Sequence, residues 1–132
     1  RFFRTKGIRK TIDWDGTLEK QSVQTKIKEL IDSGIDVWIL TTRYPPETND
    51  NHFRNNKIVF ETAVQLGIPK EKIVFTSWAW KYNWLNENPD VILHLDDNFS
   101  EMVKMLKNCK TIPISVHGNW FHKIKRILKT NI

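Results

Sequence analysis

Two carboxylates with the potential for chemistry lie two positions apart near the start of the chain. Asp13 and Asp15 follow a short apolar run and precede Gly16, which permits a tight turn. Two anions held this close repel each other, so the spacing favours a cation between them. The three residues therefore predict a metal site at a turn.

A second acidic pair, Asp96 and Asp97, follows the apolar run 91–95. Mg²⁺ prefers oxygen ligands and is typically held by one or two carboxylates together with substrate phosphate. We therefore expect a Mg²⁺ site formed by Asp13, Asp97 and the backbone carbonyl of Asp15. With its charge screened by the metal, one carboxylate could attack phosphorus and form an aspartyl-phosphate.

The elements that must position these groups alternate along the chain. Apolar runs predict strands at 8–13, 36–40, 72–76, 91–95 and 111–116. Apolar side chains at helical spacing predict helices between them. This alternation predicts an α/β fold, a three-layer, doubly wound, Rossmann-like parallel sheet of about five strands. The carboxyl ends of parallel strands share one edge, where we expect both acidic pairs to meet.

Three local predictions concern segments near that edge. Residues 44–51 hold two prolines and several turn formers, so we expect a loop. Ser77 is expected to cap the helix that follows the third strand. The apolar side chains expected on the buried face of the helix after the fourth strand are Phe99, Met102, Val103 and Leu106.

The segment Asp-Trp-Asp-Gly-Thr at 13–17, Thr41, a lysine downstream of it and the acidic pair at 96–97 resemble the four motifs of the haloacid dehalogenase (HAD) superfamily of phosphohydrolases. The resemblance extends over nearly the whole chain. It implies that Asp13 is the nucleophile. It also implies that Asp15 is the general acid and base that protonates the leaving oxygen and then activates water.

The same resemblance implies roles for the other two strand ends. Asp97 stands where the family has a metal ligand, and Asp96 would support that ligand or share the ion. Thr41 would hydrogen-bond the phosphoryl oxygens, with Thr42 as the less favoured candidate. Arg43 follows two positions after Thr41 and is a further candidate for binding substrate phosphate.

Three lysines lie in the part of the chain where the third motif is expected. We favour Lys81 as the catalytic, phosphate-binding lysine, because it lies in the first turns of the helix after the third strand. Lys70 and Lys72 precede that strand, which places them at the opposite edge of the sheet. Two further polar or aromatic residues stay open: His94 as a core histidine rather than a catalyst, and Trp14 as a substrate contact or an apolar filler.

The intervals between the motifs are too short for a cap domain, so the resemblance implies an uncapped HAD-like core. It is nearest to the nucleotidase and polynucleotide-phosphatase branches, which implies a phosphorylated substrate such as a nucleotide or a nucleic-acid end. Protein and small-metabolite phosphatases are alternatives within the enzymes. The alternative from another class is a catalytically silent module that binds phosphorylated ligands or nucleic acid.

Length and composition set the remaining bounds. The 132 residues carry a formal net charge of +6, which favours an anionic partner. They fit a single domain over 1–132, and the first residue, Arg1, is typical of a chain trimmed from a longer one. The basic residues near both ends are expected to be solvated. No apolar run approaches a membrane span, and the single Cys109 favours a reducing, cytoplasmic setting.

Overall fold

The computed structural model describes residues 8–131, so the basic residues at positions 1, 4 and 6 lie outside the described part. In this part of the chain, five strands form one sheet: β1 (Arg9–Ile12), β2 (Val37–Thr41), β3 (Ile73–Phe75), β4 (Val91–Asp96) and β5 (Ile112–Ser115). All neighbouring strands are parallel, in the order β3-β2-β1-β4-β5. The predicted parallel, Rossmann-like α/β fold is confirmed.

Among residues 8–131, six α-helices flank the sheet: α1 (Gln21–Asp32), α2 (Asp50–Asn55), α3 (Lys57–Leu66), α4 (Lys81–Glu87), α5 (Phe99–Asn108) and α6 (Trp120–Asn131). The larger apolar core joins the sheet to α1, α3 and α6, and a smaller one joins it to α4 and α5. None of the helices among residues 8–131 combines the length and apolar character needed to cross a membrane.

The strand order explains why the two acidic pairs meet. The chain leaves β1 for β2 and β3 on one side and then returns to β4 and β5 on the other. β1 and β4 are therefore neighbours at the point where the winding reverses, with Thr11 opposite His94 and Ile12 opposite Leu95. Open α/β sheets bind ligands outside the carboxyl ends of the strands at such a point.

The predicted loop at 44–51 is wrong at its end. A single helical turn occupies Pro46–Thr48, and α2 already begins at Asp50. The side chain of Asn49 accepts a hydrogen bond from the backbone N–H of His52, which caps the first turn of α2. Asn49 therefore starts a helix, although its residue type also favours turns.

The predicted cap at Ser77 is also wrong. Ser77 has φ +53 and α4 begins four residues later, at Lys81. The backbone N–H groups of Thr76 and Trp78 instead donate to the carbonyls of Thr41 and Thr42, at 2.9 and 2.8 Å. This turn is tied to the end of β2, which delays the start of the helix.

The predicted buried face of α5 is only partly correct. Phe99 and Leu106 are 76% and 71% exposed, whereas Met105 is buried. Glu101 is also buried and accepts a hydrogen bond from the backbone N–H of Lys81 at 3.2 Å. The buried face of α5 therefore includes Met105 and the polar Glu101, and not Phe99 or Leu106.

The basic residues at the start of β1 are not solvated as expected. Lys10 is 4% exposed, and its ammonium donates to the carbonyl of Ile8 at 3.0 Å. Burial lowers the pKa of Lys10. Arg9 forms an ion pair with Asp90, with 2.6 Å between Nε and Oδ2. These two cations therefore belong to the folded domain rather than to a free basic tail.

Candidate active site

The turn after β1 positions the first two carboxylates. The N–H of Leu18 donates to the carbonyl of Asp13 at 3.1 Å, and this contact closes a wide turn over residues 14–18. Gly16 has φ +74, and a Cβ at this position would overlap the Asp97 carboxylate. A glycine is therefore required here both by the backbone conformation and by the close approach of the second acidic pair.

Three carboxylates converge where β1 and β4 end. Asp13, Asp96 and Asp97 each offer an oxygen, and these oxygens lie within 4.8 Å of one another. The ammonium of Lys81 donates to Asp13 Oδ1 and to Asp96 Oδ2, both at 2.7 Å. Lys81 is only 2% exposed, so this cation is enclosed by the acidic cluster.

The cluster holds more negative than positive groups. Burial raises the pKa of Asp13 to about 8, because Lys81 offsets only part of the desolvation and Asp96 adds repulsion. Burial opposes the charge of Lys81, but its two carboxylate partners raise its pKa above the ordinary value. A further cation would therefore favour the ionised form of Asp13, and the all-oxygen donor set fits Mg²⁺.

A buried chain of hydrogen bonds lies behind the cluster. His94 is fully buried, with Nε2 at 2.7 Å from Asp96 Oδ2 and Nδ1 at 2.7 Å from the hydroxyl of Thr11. Burial lowers the pKa of His94, which favours the neutral form of its ring. If the Thr11 hydroxyl donates to Nδ1, the proton on Nε2 is left to donate to Asp96.

Both carboxylate oxygens of Asp96 have hydrogen-bonding partners. Burial opposes its ionisation, but His94 and Lys81 hold the pKa of Asp96 below its usual range. Its other oxygen accepts from the backbone N–H of Asn98 at 2.9 Å. Sequence reasoning placed His94 in the core but missed this contact. The available signal was the spacing of two positions, which puts both side chains on one face of β4.

The structure does not bring the Asp15 side chain into the carboxylate cluster. Asp15 instead pairs with Arg43, whose Nε and Nη2 donate to its two oxygens at 3.0 and 2.8 Å. The third nitrogen, Nη1, donates to the carbonyl of Asn55 at 2.7 Å. The Asp15 side chain is 54% exposed, so this two-bond ion pair faces the solvent side of the site.

The two candidate threonines lie at different depths. Thr41 is fully buried, and its hydroxyl accepts from the backbone N–H of Arg43 at 3.3 Å. Thr42 lines the cleft that contains Asp13 and Lys81. Thr42, which sequence reasoning ranked second, is therefore the threonine at the accessible wall.

Trp14 lies away from that wall. It is 2% exposed and packs in the larger core, so of the two predicted roles the geometry favours the apolar filler. Its indole N–H has no hydrogen-bond partner among the described residues.

Two adjoining clefts open at this edge of the sheet. The acidic cleft has a volume of about 230 Å³, and its walls include Asp13, Lys81 and Asp97. A wider cleft of about 530 Å³ lies beside it, and the two share Asp15, Thr42 and Asn98. The shared residues make the two clefts immediate neighbours.

Comparison with known proteins does not identify a family for this chain. No protein-family model matches it, and no curated protein matches it. The site is therefore interpreted from its own geometry. That geometry establishes a parallel α/β sheet with a buried acidic cluster that could hold a metal ion.

Proposed function

We propose that the protein is a magnesium-dependent phosphomonoesterase that works through an aspartyl-phosphate at Asp13. One observation carries the proposal: Lys81 joins Asp13 to Asp96, while Asp15 lies on the open side of the same turn. A nucleophile, a cation and an acid-base group are thus gathered around one cleft. The motif resemblance to the HAD phosphohydrolases supports the same assignment.

In the first step, a carboxylate oxygen of Asp13 attacks the phosphorus of a monoester, and the bond from phosphorus to the leaving oxygen breaks. Asp15, protonated once it has left its ion pair with Arg43, transfers that proton to the leaving oxygen. In the second step, a water oxygen attacks phosphorus, and Asp15 takes the proton from this water. The bond between phosphorus and Asp13 then breaks, which releases inorganic phosphate and restores both aspartates.

Asp13, Asp97 and the backbone carbonyl of Asp15 would hold Mg²⁺. The bound ion would screen the charge of Asp13 and neutralise the phosphate oxygens. Asp96 would hold neighbouring groups in place, because its oxygens contact Lys81, His94 and the N–H of Asn98.

The remaining polar groups would bind and orient the phosphate. Lys81 supplies a positive charge next to the attacking oxygen, and Thr42 supplies polar groups at the accessible wall. Arg43 holds Asp15 and lies at the rim, where its one remaining N–H could also reach substrate phosphate. The hydroxyl of Thr41 accepts a hydrogen bond from the backbone N–H of Arg43 and so helps to position that residue.

The proposed substrate is a nucleotide or a phosphorylated nucleic-acid end. The net charge of +6 favours polyanionic substrates. The wide cleft beside the acidic one leaves room for a leaving group larger than a simple alcohol.

The proposal predicts phosphate release from an aryl phosphate that requires Mg²⁺ and Asp13. Asp13→Asn should lower kcat/KM by about 10⁴-fold or more, as expected for removal of a nucleophile. The variant should fold, because burial already disfavours the ionised form of Asp13 and asparagine has no charge. A cooperative thermal unfolding transition in both proteins, above the assay temperature, would serve as the control. Release that needs no metal, or that survives Asp13→Asn, would contradict the mechanism.

The catalytically silent binding module is the competing function. Both proteins should be tested on a panel of phosphate esters and, separately, for binding of a 5′-phosphorylated oligonucleotide. Binding by the wild type without release of phosphate from any ester would replace the phosphatase with this module.

A further inference from the structure

The wide cleft beside the acidic site has an exposed aromatic wall. Trp78 lines it and is 76% exposed, although tryptophan is among the side chains most favoured by burial. The indole is thus presented to whatever occupies the cleft. An exposed large aromatic side chain at a concave site is a common feature of ligand-binding surfaces.

The backbone that presents Trp78 is held in an unfavourable conformation. Ser77 and Trp78 have φ values of +53 and +69, in the left-handed region that non-glycine residues rarely adopt. The turn is held by three backbone bonds to the end of β2, including Ser77 N–H to the Arg43 carbonyl at 3.2 Å. Such strain persists only where surrounding contacts enforce it, and it occurs preferentially at functional sites.

Two further aromatic rings belong to the lining of this cleft. Tyr44 and His52 are stacked, with ring centroids 5.1 Å apart and planes inclined by 6°. The side-chain amide of Asn56 donates to the backbone carbonyls of both residues at 2.9 Å, which fixes the stack. Both rings line the same cleft as Trp78.

We propose that this cleft binds the nucleobase of the nucleotide whose phosphate lies in the acidic cleft. The inference rests on the proposed phosphatase function and assigns the part of the site that binds the base of its substrate. In a nucleotide, a sugar separates the base from the phosphate, which matches two clefts that meet at Asp15 and Thr42. Every nucleobase has a flat face that stacks on aromatic side chains, so the subsite tolerates different bases.

A phosphotyrosine side chain fits this arrangement less well. Its ring is bonded directly to the phosphate oxygen and would stay within the small acidic cleft, leaving the aromatic walls of the wide cleft without a partner. The same geometry therefore favours a nucleotide over a phosphorylated protein.

The test compares kcat/KM for three substrates: a nucleoside 5′-monophosphate, a single-stranded oligonucleotide with a terminal phosphate, and glycerol phosphate. The variants are Trp78→Ala, Trp78→Phe and, as a control of equal exposure, Phe99→Ala. Trp78→Ala should lower kcat/KM for both nucleotide substrates by between about 5-fold and 150-fold, mainly through KM. It should leave glycerol phosphate unchanged, Trp78→Phe should restore most of the loss, and Phe99→Ala should have no effect.

The two nucleotide substrates distinguish the source of the base. An equal loss on both assigns the subsite to any nucleoside monophosphate, and a larger loss on the oligonucleotide assigns it to strand ends. An equal loss on glycerol phosphate would show that Trp78 is merely structural and would overturn the inference. So would unchanged kinetics on both nucleotides.

Failure of the phosphatase proposal would be visible separately, because the wild type would then hydrolyse none of the three substrates. Calorimetric titration with the same nucleoside monophosphate would decide the inference in that case. Binding that is weakened by Trp78→Ala and restored by Trp78→Phe would support the base subsite. The same affinity in the wild type and the Trp78→Ala variant, or no binding by either protein, would overturn the inference.

Discussion

The site has a buried half and an exposed half, and they are built differently. In the buried half, every polar side chain is held by others between β1 and β4. Its members are Thr11, Asp13, Lys81, His94 and Asp96, which are all 5% exposed or less. A buried charge is tolerated only when it is paired and hydrogen-bonded, so this half has little freedom to rearrange.

The exposed half lies in the loops after β1, β2 and β3. Asp15 and Arg43 form one ion pair there, and Trp78 extends from a strained turn. Exposed pairs contribute little to stability, commonly about 0–1 kcal/mol. The comparison implies a division of labour: the buried half fixes the nucleophile, while the exposed half contacts the leaving group and is free to exchange partners.

Removing the cation from the buried half should have the largest effect on stability. Lys81→Met leaves Asp13 and Asp96 without their shared ammonium and should lower the free energy of unfolding by about 3–5 kcal/mol. Urea denaturation measures this change. The matched control is Lys72→Met, which breaks a more exposed pair with Asp36 at 2.7 Å and should cost about 1 kcal/mol or less. Equal losses for the two lysines would contradict the comparison.

Changing the exposed half should affect activity without affecting stability. Asp15→Asn should lower kcat by about 10²–10⁴-fold, because it removes the proposed proton donor and acceptor. The midpoint of urea unfolding should stay nearly constant, since the side chain is 54% exposed. The loss should be smaller for an aryl ester with a good leaving group. A large drop in stability would show that Asp15 belongs to the structural half.

The contact between the two acidic turns can be tested with a pair of glycines. Gly16→Ala places a methyl group against the Asp97 carboxylate at φ +74, so we expect a loss of about 1–3 kcal/mol and weaker activation by Mg²⁺. Gly34→Ala has a similar φ of +91 but open space around it. It should cost about 1 kcal/mol and leave the Mg²⁺ dependence unchanged. Equal Mg²⁺ titrations for both variants would contradict a close approach of Asp97.

The smallest effect is expected at the other end of the same two strands. The hydrogen bond from Arg9 holds the pKa of Asp90 below its usual value, so the pair stabilises the fold above about pH 4 and less as the pH falls further. Asp90→Asn should therefore cost up to about 1 kcal/mol at pH 7, since the Asp90 side chain is 38% exposed. The difference from wild type should shrink below pH 4. A constant difference down to pH 2 would show that the charge is not involved.

The sheet was predictable because parallel strands are covered on both faces and appear as continuous apolar runs. The same runs predicted that Asp13 and Asp96 would lie at the same edge of the sheet, but the pairing of β1 with β4 came from the structure. The roles of these residues in catalysis stay predictions, because the structure shows their positions rather than a reaction.

The features of the site that could not be predicted from the sequence depend on contacts between distant segments of the chain. The pairing of Arg43 with Asp15 joins loops 28 positions apart, and no local sequence pattern predicts such a contact. The inward position of Glu101 depends on a backbone N–H of another helix. The turn at Ser77 exists because the end of β2 offers carbonyls to it, which overrides the capping preference of serine.

The central claim, covalent catalysis by Asp13, is tested most directly by trapping the phosphoenzyme. The wild type is quenched during turnover of a nucleoside monophosphate with Mg²⁺, treated with borohydride and digested for mass spectrometry. Borohydride reduces an acyl phosphate to an alcohol, so homoserine should replace aspartate at position 13. Phosphate release with an unmodified Asp13, or reduction at another residue, would contradict the claim.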